Sequence, residues 1–557
     1  MVVSDNGLKY SPDFSRAHIK PGGLLRLSSG RMINSRVEEG SLSVFEDGSE
    51  ASDTIMIKAR TKVEKRGTLK RTQMTGGSLD IKERGLAEAI VVNGGGRMSN
   101  YSGTDIGTVV NSGTYTLGDA HSTTAQSNNL TLESGATAYI RDGILNGATL
   151  NGGLMILVDD GLSSTLKGNV TVGERGQLNV INNGHLDTHN ANLNLSGRVR
   201  LKNDADFGTL LMNNGHFYFD SDSNADSKLS VETLSGSGTF WMNTDIAGHK
   251  GDFLHVRGEA NGHFGVRVTD TGESPKAEDS LKIIQTGGGE AKFTLANQGQ
   301  VVDVGTYQYH LVPDDLKRGW SLVSHQPQPS EKPKSPTEAP VPPPSVTETV
   351  AASRPISETE ETEPKPAVPP PSVMETVAAS APDIPSITPS TAAVLSMSTV
   401  GPVMYHSEMA QIQERMSSTR QAKTESAVWV KLMNERHNII QKAGEGYGLK
   451  LNGISLGADR TLRLGRSAYT TQGLFFTHSD AKLNFRGKAI GGGNLSSWSA
   501  GTYAAYYHDS GFWLDGILKA NRFSQEIYGK MTGGGDAFGN FSTLAFGATV
   551  RGGKIGS

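Results

Sequence analysis

The sequence of 557 residues contains no cysteine. This absence excludes disulfide crosslinks, thiolate metal sites and thiol redox catalysis. Aromatic residues make up only 6% of the chain and hydrophobic residues 36%, which is little for a compact core of large side chains. The 68 glycines instead favour many short strands joined by tight turns.

The sequence also lacks long apolar runs and an excess of either charge. No segment approaches the roughly 18 consecutive apolar residues of a membrane helix. Residues 1–14 have neither the basic nor the apolar region of a signal peptide, so we expect the signal peptide to be absent from this sequence. Lys and Arg total 53 and Asp and Glu total 57, which predicts no nucleic-acid partner.

A repeated pattern runs from about residue 30 to residue 238. Each copy has a glycine turn, a short alternating strand and another turn. Gly40 and Gly77 open two copies 37 residues apart (77 minus 40), which corresponds to two turns of a coil with about 18–19 residues each. Further copies begin at Gly135, Gly176 and Gly215. Small residues, Gly and Asn above all, are expected at corners with positive φ.

One short strand cannot bury a face alone, but parallel strands stacked in successive turns share a continuous core. We therefore predict an all-β chain that begins with a right-handed parallel β-helix, the passenger stalk, in residues 1–233. Two alternatives remain. A sandwich of antiparallel hairpins would contain more aromatic core residues, and a propeller would show a longer, blade-sized period.

Residues 234–323 carry more aromatic residues in segments that alternate with period two, as expected of a unit that caps an open solenoid end. The segments are, in order, Gly236–Met242, Asp252–Val256, Gly262–Val268, Leu281–Thr286, Gly305–Leu311 and Gly319–Leu322. This order resembles the pertactin-like junction of pertactin/AIDA-type autotransporters, which belong to type V secretion. The resemblance implies that 234–323 is an autochaperone region that nucleates folding of the stalk outside the cell.

The composition changes abruptly at about residue 324. Eighteen of the 22 prolines lie between residues 324 and 402, among Ser, Thr, Glu and Ala. Residues 341–353 and 368–380 are near-duplicates, since both begin with VPPPSV and end with ETVAAS. Such a sequence cannot bury enough apolar surface to fold, so we predict a disordered, extended proline-rich linker over 324–395. A ligand for PxxP-binding domains is the alternative.

Residues 396–424 show helical spacing. The residues expected on one side are Val400, Val403, Met404, Ser407, Met409, Ile412 and Met416. The residues expected elsewhere on the helix are Glu408, Gln411, Glu414 and Arg415. The family resemblance implies a short α-helix that runs through a barrel lumen, whereas the residues alone indicate an ordinary surface helix.

Residues 425–557 predict an antiparallel outer-membrane β-barrel. The expected strands are Ala427–Met433, Tyr447–Ala458, Ala468–His478, Trp498–His508, Gly511–Asn521 and Ser542–Val550. One face of the fifth strand carries Phe512, Leu514 and Leu518. The other carries Asp515 and Lys519, which is typical of a lipid-facing side and a polar lumen. The motifs that begin at Ser426, Gly453, Gly501 and Gly511 resemble the opening strands of the autotransporter translocator.

The barrel of this family has twelve strands and ends in an aromatic residue, whereas this sequence predicts about six strands and ends at Ser557. An open sheet leaves edge groups unpaired in lipid. We therefore expect a partial, truncated barrel. An alternative interpretation is a non-functional fragment of a disrupted autotransporter gene.

Three groups resemble metal sites only superficially. Asp220–Asp226 begins like a calcium loop but lacks the glycine and the glutamate that such a loop requires. Gly533–Phe538 is a single copy of a calcium-binding type of turn. His185 and His189 are four residues apart, a spacing that does not bring two imidazoles together on a strand. We predict no metal site and no cofactor.

No GxSxG, HExxH or P-loop motif occurs, and we predict that the chain is not an enzyme and has no catalytic residues. A hydrolase passenger without its catalytic domain is the less favoured alternative. The leading hypothesis is a passenger on the Gram-negative cell surface, anchored in the outer membrane, that acts in adhesion or autoaggregation. The expected partners are outer-membrane lipid, the barrel-assembly machinery, and a host surface or a second copy.

Overall fold

A computed structural model describes residues 13–119, 125–159, 161–220, 226–325, 386–422, 426–441, 444–487 and 490–555. Two compact units are distinguished, Met1–His325 together with Pro385–Ser557, and Gln326–Ile384. Only the first unit contains described residues. Most of the predicted proline-rich linker therefore lies outside the described residues.

The N-terminal part consists of short strands. They are β1 (Asp13–Ser15), β2 (His18–Ile19), β3 (Leu24–Leu27), β4 (Gly30–Ile33), β5 (Arg36–Glu38), β6 (Ser41–Phe45), β7 (Ser49–Ser52), β8 (Ile55–Ile57), β9 (Arg60–Glu64), β10 (Thr68–Lys70), β11 (Gln73–Thr75), β12 (Ser78–Ile81), β13 (Leu86–Glu88), β14 (Val91–Asn93), β15 (Gly96–Asn100), β16 (Thr104–Ile106), β17 (Val109–Val110), β18 (Gly113–Leu117), β19 (Gln126–Leu132), β20 (Ala136–Ile140), β21 (Gly143–Leu150), β22 (Leu154–Val158), β23 (Ser164–Val172), β24 (Gln177–Ile181), β25 (Leu186–Asp187), β26 (Ala191–Leu195) and β27 (Arg198–Lys202).

Longer strands follow. They are β28 (Ala205–Phe219), β29 (Lys228–Asp245), β30 (Lys250–Gly251), β31 (Phe253–Asp270), β32 (Ser280–Gly288), β33 (Lys292–Leu295), β34 (Val302–Val304), β35 (Tyr307–Pro313) and β36 (Gly319–Val323).

Strands one turn apart pair in parallel, which makes this region a β-solenoid. Ser41 lies opposite Arg60, Arg60 opposite Ser78, and Ser78 opposite Arg97. These steps of 19, 18 and 19 residues (60 minus 41, 78 minus 60, 97 minus 78) confirm the coil period predicted from the glycine spacing. Parallel pairing continues past residue 233, since β29 pairs with β31, and β31 with β32 and β33.

The corners of the first turns are not mainly glycine or asparagine, so that expectation was wrong there. One column of corner residues with positive φ consists of Arg16, Asn34, Asp53, Arg71, Ala89 and Gly107. The amide N–H of each corner residue donates to a carbonyl one turn later; Asn34 donates to Ser52 and Asp53 to Lys70. These hydrogen bonds carry the backbone ladder through the corner and offset the strain of the left-handed conformation.

The solenoid core consists of columns of inward side chains from successive turns. One column contains Leu42, Thr61, Leu79, Met98, Tyr115, Ala138, Met155, Leu178, Val199, Phe217 and Phe240, all buried. Toward the C-terminal end the core becomes aromatic. Adjacent rings there, 4.7–6.0 Å apart between centroids, are Phe217, Phe240, Phe264, Phe293 and Trp320.

One carboxylate lies fully inside the solenoid. Asp105 accepts hydrogen bonds from Tyr115 Oη at 2.5 Å, Asn100 Nδ2 at 2.8 Å, and the hydroxyls of Thr108 and Ser127 at 2.9 Å each. All four donors are neutral, so hydrogen bonds alone stabilise the charge. Burial raises the pKa of Asp105 above its ordinary value, although these hydrogen bonds oppose that shift.

We expect this carboxyl group to make the solenoid less stable as the pH rises. Because the pKa of Asp105 is raised in the folded chain, its contribution is complete below the ordinary aspartate pKa of about 4. That contribution is lost as the pH rises through the raised pKa. Urea unfolding followed by circular dichroism should show a fall in unfolding free energy that Asp105→Asn removes. A constant difference between the two proteins at every pH would contradict this assignment.

The solenoid ends in an antiparallel cap. β32 pairs with β36, β34 with β35, and β35 with β36, all antiparallel. The chain that follows the undescribed segment is joined to this cap. The backbone N–H of Gln308 donates to the carbonyl oxygen of Ser386, and the backbone N–H of Thr388 donates to the carbonyl oxygen of Thr306.

Two helices follow, α1 (Pro389–Ser398) and α2 (Val400–Ala422). The first begins before residue 396, the predicted boundary, because Thr388 caps its N-terminus and Pro389 occupies the first turn. The break at Thr399 precedes Pro402, whose ring clashes with the carbonyl four residues earlier in a continuous helix. In the described part of the chain, no helix is long and apolar enough to span a membrane.

The C-terminal region is a six-stranded antiparallel sheet in sequence order. Its strands are β37 (Ser426–Ile439), β38 (Gly446–Leu464), β39 (Ala468–Arg486), β40 (Gly491–His508), β41 (Phe512–Lys530) and β42 (Asp536–Lys554). The six predicted strands are confirmed, and each extends beyond the predicted segment at one or both ends, although the fifth begins at Phe512 and not at Gly511. The prediction of truncation stays a prediction.

The two faces of this sheet differ as predicted from β41. Asp515 and Lys519 are buried on the inner face, which contacts the helices, while Leu514 and Leu518 are exposed on the other. Large apolar residues that are also exposed on the outer face include Val428, Val430, Leu432, Leu456, Leu474, Phe476, Leu544, Phe546 and Val550. An apolar outer band over a polar inner face is the arrangement of a transmembrane β-barrel wall.

Candidate functional site

The candidate site is the contact between the two helices and the inner face of the six-stranded sheet. Two apolar clusters hold the helices at either end. The upper cluster contains Ala393, Met397, Val400, Met404, Met433, Tyr447, Leu449, Leu451, Ala481, Leu483, Leu495, Phe523 and Ile527. The lower cluster contains Met409, Ile412, Met416, Trp429, Phe475, Tyr503, Ala505 and Ile517. Burial of these side chains supplies the main attraction between helix and sheet.

Between the two apolar clusters lies a buried polar cluster centred on Glu408. Its carboxylate forms an ion pair with Lys519 Nζ at 2.5 Å, and both side chains are fully buried. Asn521 Nδ2 donates to the same oxygen at 2.8 Å and Ser499 Oγ at 3.2 Å. A misplaced helix would leave these charged groups buried without partners, so the cluster specifies one position of α2 along the sheet.

Arg415 makes a second charged contact, about two turns farther along α2. Its guanidinium donates to both carboxylate oxygens of Asp459, at 2.9 and 3.1 Å. Tyr503 Oη also donates to Asp459, at 2.6 Å, and Trp429 Nε1 donates to Tyr503 at 3.1 Å. Gly457 leaves the space for the indole ring, since a Cβ there would lie 2.3 Å from Trp429.

A third charged contact lies near the end of α2. Asp515 accepts from Arg420 at 3.0 Å and from Arg551 at 3.3 Å, which connects the helix with strands β41 and β42. The Arg420 guanidinium also lies over the Trp513 ring, 3.8 Å from its centroid. The three charged contacts thus occur at successive positions along α2, from Glu408 through Arg415 to Arg420.

The sheet also contacts the solenoid cap through the turn between β41 and β42. The amide of Thr532 donates to Asp303 at 2.8 Å, and Gln308 Nε2 donates to the Thr532 hydroxyl at 2.8 Å. The cap is therefore connected to the sheet by this turn as well as by the helices.

The helix residues that form these contacts were misplaced in the sequence prediction. Glu408 and Gln411 were expected away from the apolar side, yet both are buried against the sheet. The physical reason is that the inner face of the sheet carries both polar and apolar side chains, so both kinds of helix residue find partners there. The signal that could have located them is the presence of charged residues at inward-facing strand positions, namely Asp459, Asp515 and Lys519.

Of the groups that resembled metal sites, the two histidines are not brought together. His185 contacts Asp159 at 3.0 Å, whereas His189 contacts Asp206 at 3.2 Å. Part of the stretch after Asp220 lies outside the described residues, and Gly533–Gly535 form the turn before β42. Within the described ranges, three or more His, Asp or Glu side chains nowhere form a group that could hold a metal ion.

Two family models match this chain. The pertactin model matches residues 207–324, which contain the aromatic end of the solenoid and its cap. The autotransporter β-domain model matches residues 428–555, the six-stranded sheet. The pertactin match therefore begins within β28, earlier than residue 234.

Several curated proteins are similar to this chain. The probable autotransporter YpjA of Escherichia coli K12 is 34% identical over 506 residues, which are 86% of this chain and 31% of YpjA. The autotransporter adhesin/invasin TibA of Escherichia coli O78:H11 is 29% identical over 552 residues, 96% of this chain and 53% of TibA. The chain thus spans about a third to a half of the length of these relatives.

Among solved structures, the β-domain of the Bordetella autotransporter BrkA is 24% identical, with a TM-score of 0.21. It covers 24% of this chain, and the match covers 51% of that domain. The two family models thus match the C-terminal part of the solenoid with its cap, and the antiparallel sheet. The chain belongs to the autotransporter family, with a pertactin-type region in its passenger and an autotransporter β-domain after it.

Proposed function

We propose that the passenger of this autotransporter mediates adhesion or autoaggregation at the cell surface. The observation that supports this is the series of polar ladders on the outside of the solenoid. Asn111 donates to Asn93 at 2.8 Å, and Asn213 donates to Asn194 at 2.6 Å. Other amide pairs one turn apart are Asn146 with Asn128 and Asn192 with Asn169. Such ladders form a long, regular hydrogen-bonding surface that suits many weak contacts made at once.

The relatives support the same class of function. TibA is named an adhesin/invasin, and the similarity spans 96% of this chain. An autotransporter β-domain implies an outer-membrane location with the passenger outside the cell. The proposed partners follow from the surfaces. Lipid contacts the apolar outer face of the sheet, the barrel-assembly machinery inserts it, and a host surface or a second passenger contacts the solenoid.

The test is to display the natural autotransporter that contains this chain on a Gram-negative host that does not aggregate. We expect cells that carry the passenger to sediment faster and to bind epithelial cells in larger numbers than vector controls. Protease treatment of intact cells, which removes the passenger but leaves the β-domain, serves as the matched control. If surface exposure is verified and neither aggregation nor binding exceeds the control, the proposal is refuted.

A further inference from the structure

A groove of about 530 Å³ crosses the outer surface of the solenoid at β18. The floor carries small side chains, Thr114 and Thr116, followed by Gly118. One wall comes from the preceding turn, with Arg97 and Tyr101. The opposite wall comes from the following turn, where Tyr139 lies directly beside Thr116 in the strand register.

Gly118 is required for the floor of this groove. It has a φ of +78°, and a Cβ there would lie 2.2 Å from the carbonyl oxygen of Asp142 and 2.5 Å from its Cβ. No other residue fits without a shift of the backbone. The backbone conformation at this turn therefore requires a residue without a side chain, and this leaves the space at Gly118 open.

The width of the groove follows from the strand spacing. Neighbouring turns are about 4.8 Å apart, so the walls on either side of β18 are about 9.5 Å apart at the backbone. A gap of this size admits one saccharide ring. Tyr101 and Tyr139 are offset by two residues along it, since Tyr101 follows Asn100, the partner of Leu117, and Tyr139 pairs with Thr116. The volume is also within the range typical of small-molecule sites.

The walls combine aromatic rings with positive charge. Arg97 Nη2 donates to Tyr101 Oη at 3.4 Å, and Lys82 Nζ lies 4.8 Å from the centroid of the Tyr101 ring. On the opposite wall the Arg141 guanidinium lies 5.8 Å from the centroid of the Tyr139 ring. Guanidinium groups recognise carboxylates with two parallel hydrogen bonds. Aromatic faces contact the C–H face of a sugar, and threonine hydroxyls on the floor can bond its hydroxyls.

We propose that this groove binds one acidic sugar, a hexuronate, within a polysaccharide chain. The sugar ring lies in the groove against Tyr101 and Tyr139, and its carboxylate pairs with Arg97. This inference rests on the proposed adhesive function and deepens it by naming the ligand class.

The test is calorimetric titration of the whole chain in detergent micelles with a hyaluronan hexasaccharide, in which every second sugar is a uronate. Chitohexaose has the same length but no carboxylate and should bind at least tenfold more weakly. Thr116→Trp, which fills the groove from its floor, and Tyr139→Ala should each weaken hyaluronan binding at least tenfold. Arg97→Ala should also weaken it.

Two matched variants on the same outer face separate a specific site from general attraction. The variants are Arg60→Ala and Tyr218→Ala. Arg60 lies in the same column of outward side chains as Arg97, two turns away, and Tyr218 lies in the same column as Tyr139. Both should bind hyaluronan as the unaltered chain does. Circular dichroism and the unfolding midpoint establish that each variant is folded.

The proposal is overturned if chitohexaose binds equally well, if folded Thr116→Trp binds normally, or if Arg60→Ala weakens binding as much as Arg97→Ala. Failure of this inference is distinguishable from failure of the adhesion proposal. Normal adhesion by cells that display Thr116→Trp, with hyaluronan titration lost, shows that adhesion does not use the groove. Intact titration with no cell adhesion refutes the adhesion proposal and leaves the binding site.

Discussion

Lys519→Met should lower the free energy of unfolding of the helix and sheet by about 3–5 kcal/mol. Lys519 and Glu408 are both fully buried, and their ion pair is the only cationic contact of that carboxylate among the described residues. In the variant Glu408 would retain hydrogen bonds from Asn521 and Ser499, which are neutral donors. Removal of one partner leaves the other charge buried and unpaired. The free-energy cost of that unpaired charge is larger than the stabilisation that the complete ion pair provides.

The measurement is urea unfolding in detergent micelles, followed by tryptophan fluorescence. Lys431→Met is the matched control. Lys431 lies on β37 and pairs with Glu414 of α2, and the Glu414 side chain is 72% exposed. We expect that variant to cost less than about 1 kcal/mol. The double variant Glu408→Gln with Lys519→Met should recover most of the loss, since no charge then remains buried. Equal effects of Lys519→Met and Lys431→Met would contradict the assigned role.

The fold could be predicted from the sequence because its period is local. The distance between Gly40 and Gly77 contains the two-turn period, and the alternation of β41 distinguishes its two faces. Both patterns are visible in the sequence itself, so no knowledge of contacts between distant residues is required. The same applies to the cap, where the aromatic residues concentrate.

The contacts of the helix could not be predicted in the same way. Glu408 is a charged residue that hydropathy places in solvent, yet the structure buries it completely. Its partner Lys519 lies 111 residues later, and only the pairing of five strands brings the two together. Inside a polar concave surface, burial does not follow hydropathy, and helical periodicity then identifies the apolar contacts but not the charged ones.

The corners of the solenoid show a similar limit. Asp53 and Arg71 adopt positive φ although neither residue type indicates it strongly. They are adjacent corners of one column, and their side chains form a two-point ion pair with distances of 2.8 and 2.7 Å. Contacts with the next turn thus override the local preference of these residues.

Gly262→Ala should destabilise the passenger by more than about 3 kcal/mol, through positive φ and steric overlap together. Gly262 has a φ of +130°, a region that only glycine adopts without strain. A Cβ there would lie 1.9 Å from the carbonyl oxygen of Gly236, its partner one turn earlier. That atom belongs to the backbone ladder between β29 and β31, so relief of the overlap breaks the pairing of two long strands.

Gly95→Ala is the matched control for this substitution. Gly95 also has a positive φ, +74°, but a Cβ there has no heavy atom within 4 Å. It should therefore cost only the backbone strain, about 1–2 kcal/mol. Urea unfolding of the whole chain, followed by circular dichroism, compares the two variants. If both lower the midpoint equally, the close approach of Gly262 to Gly236 does not limit the packing of the turns. If only Gly262→Ala unfolds at low urea, the spacing of β29 and β31 requires glycine at that position.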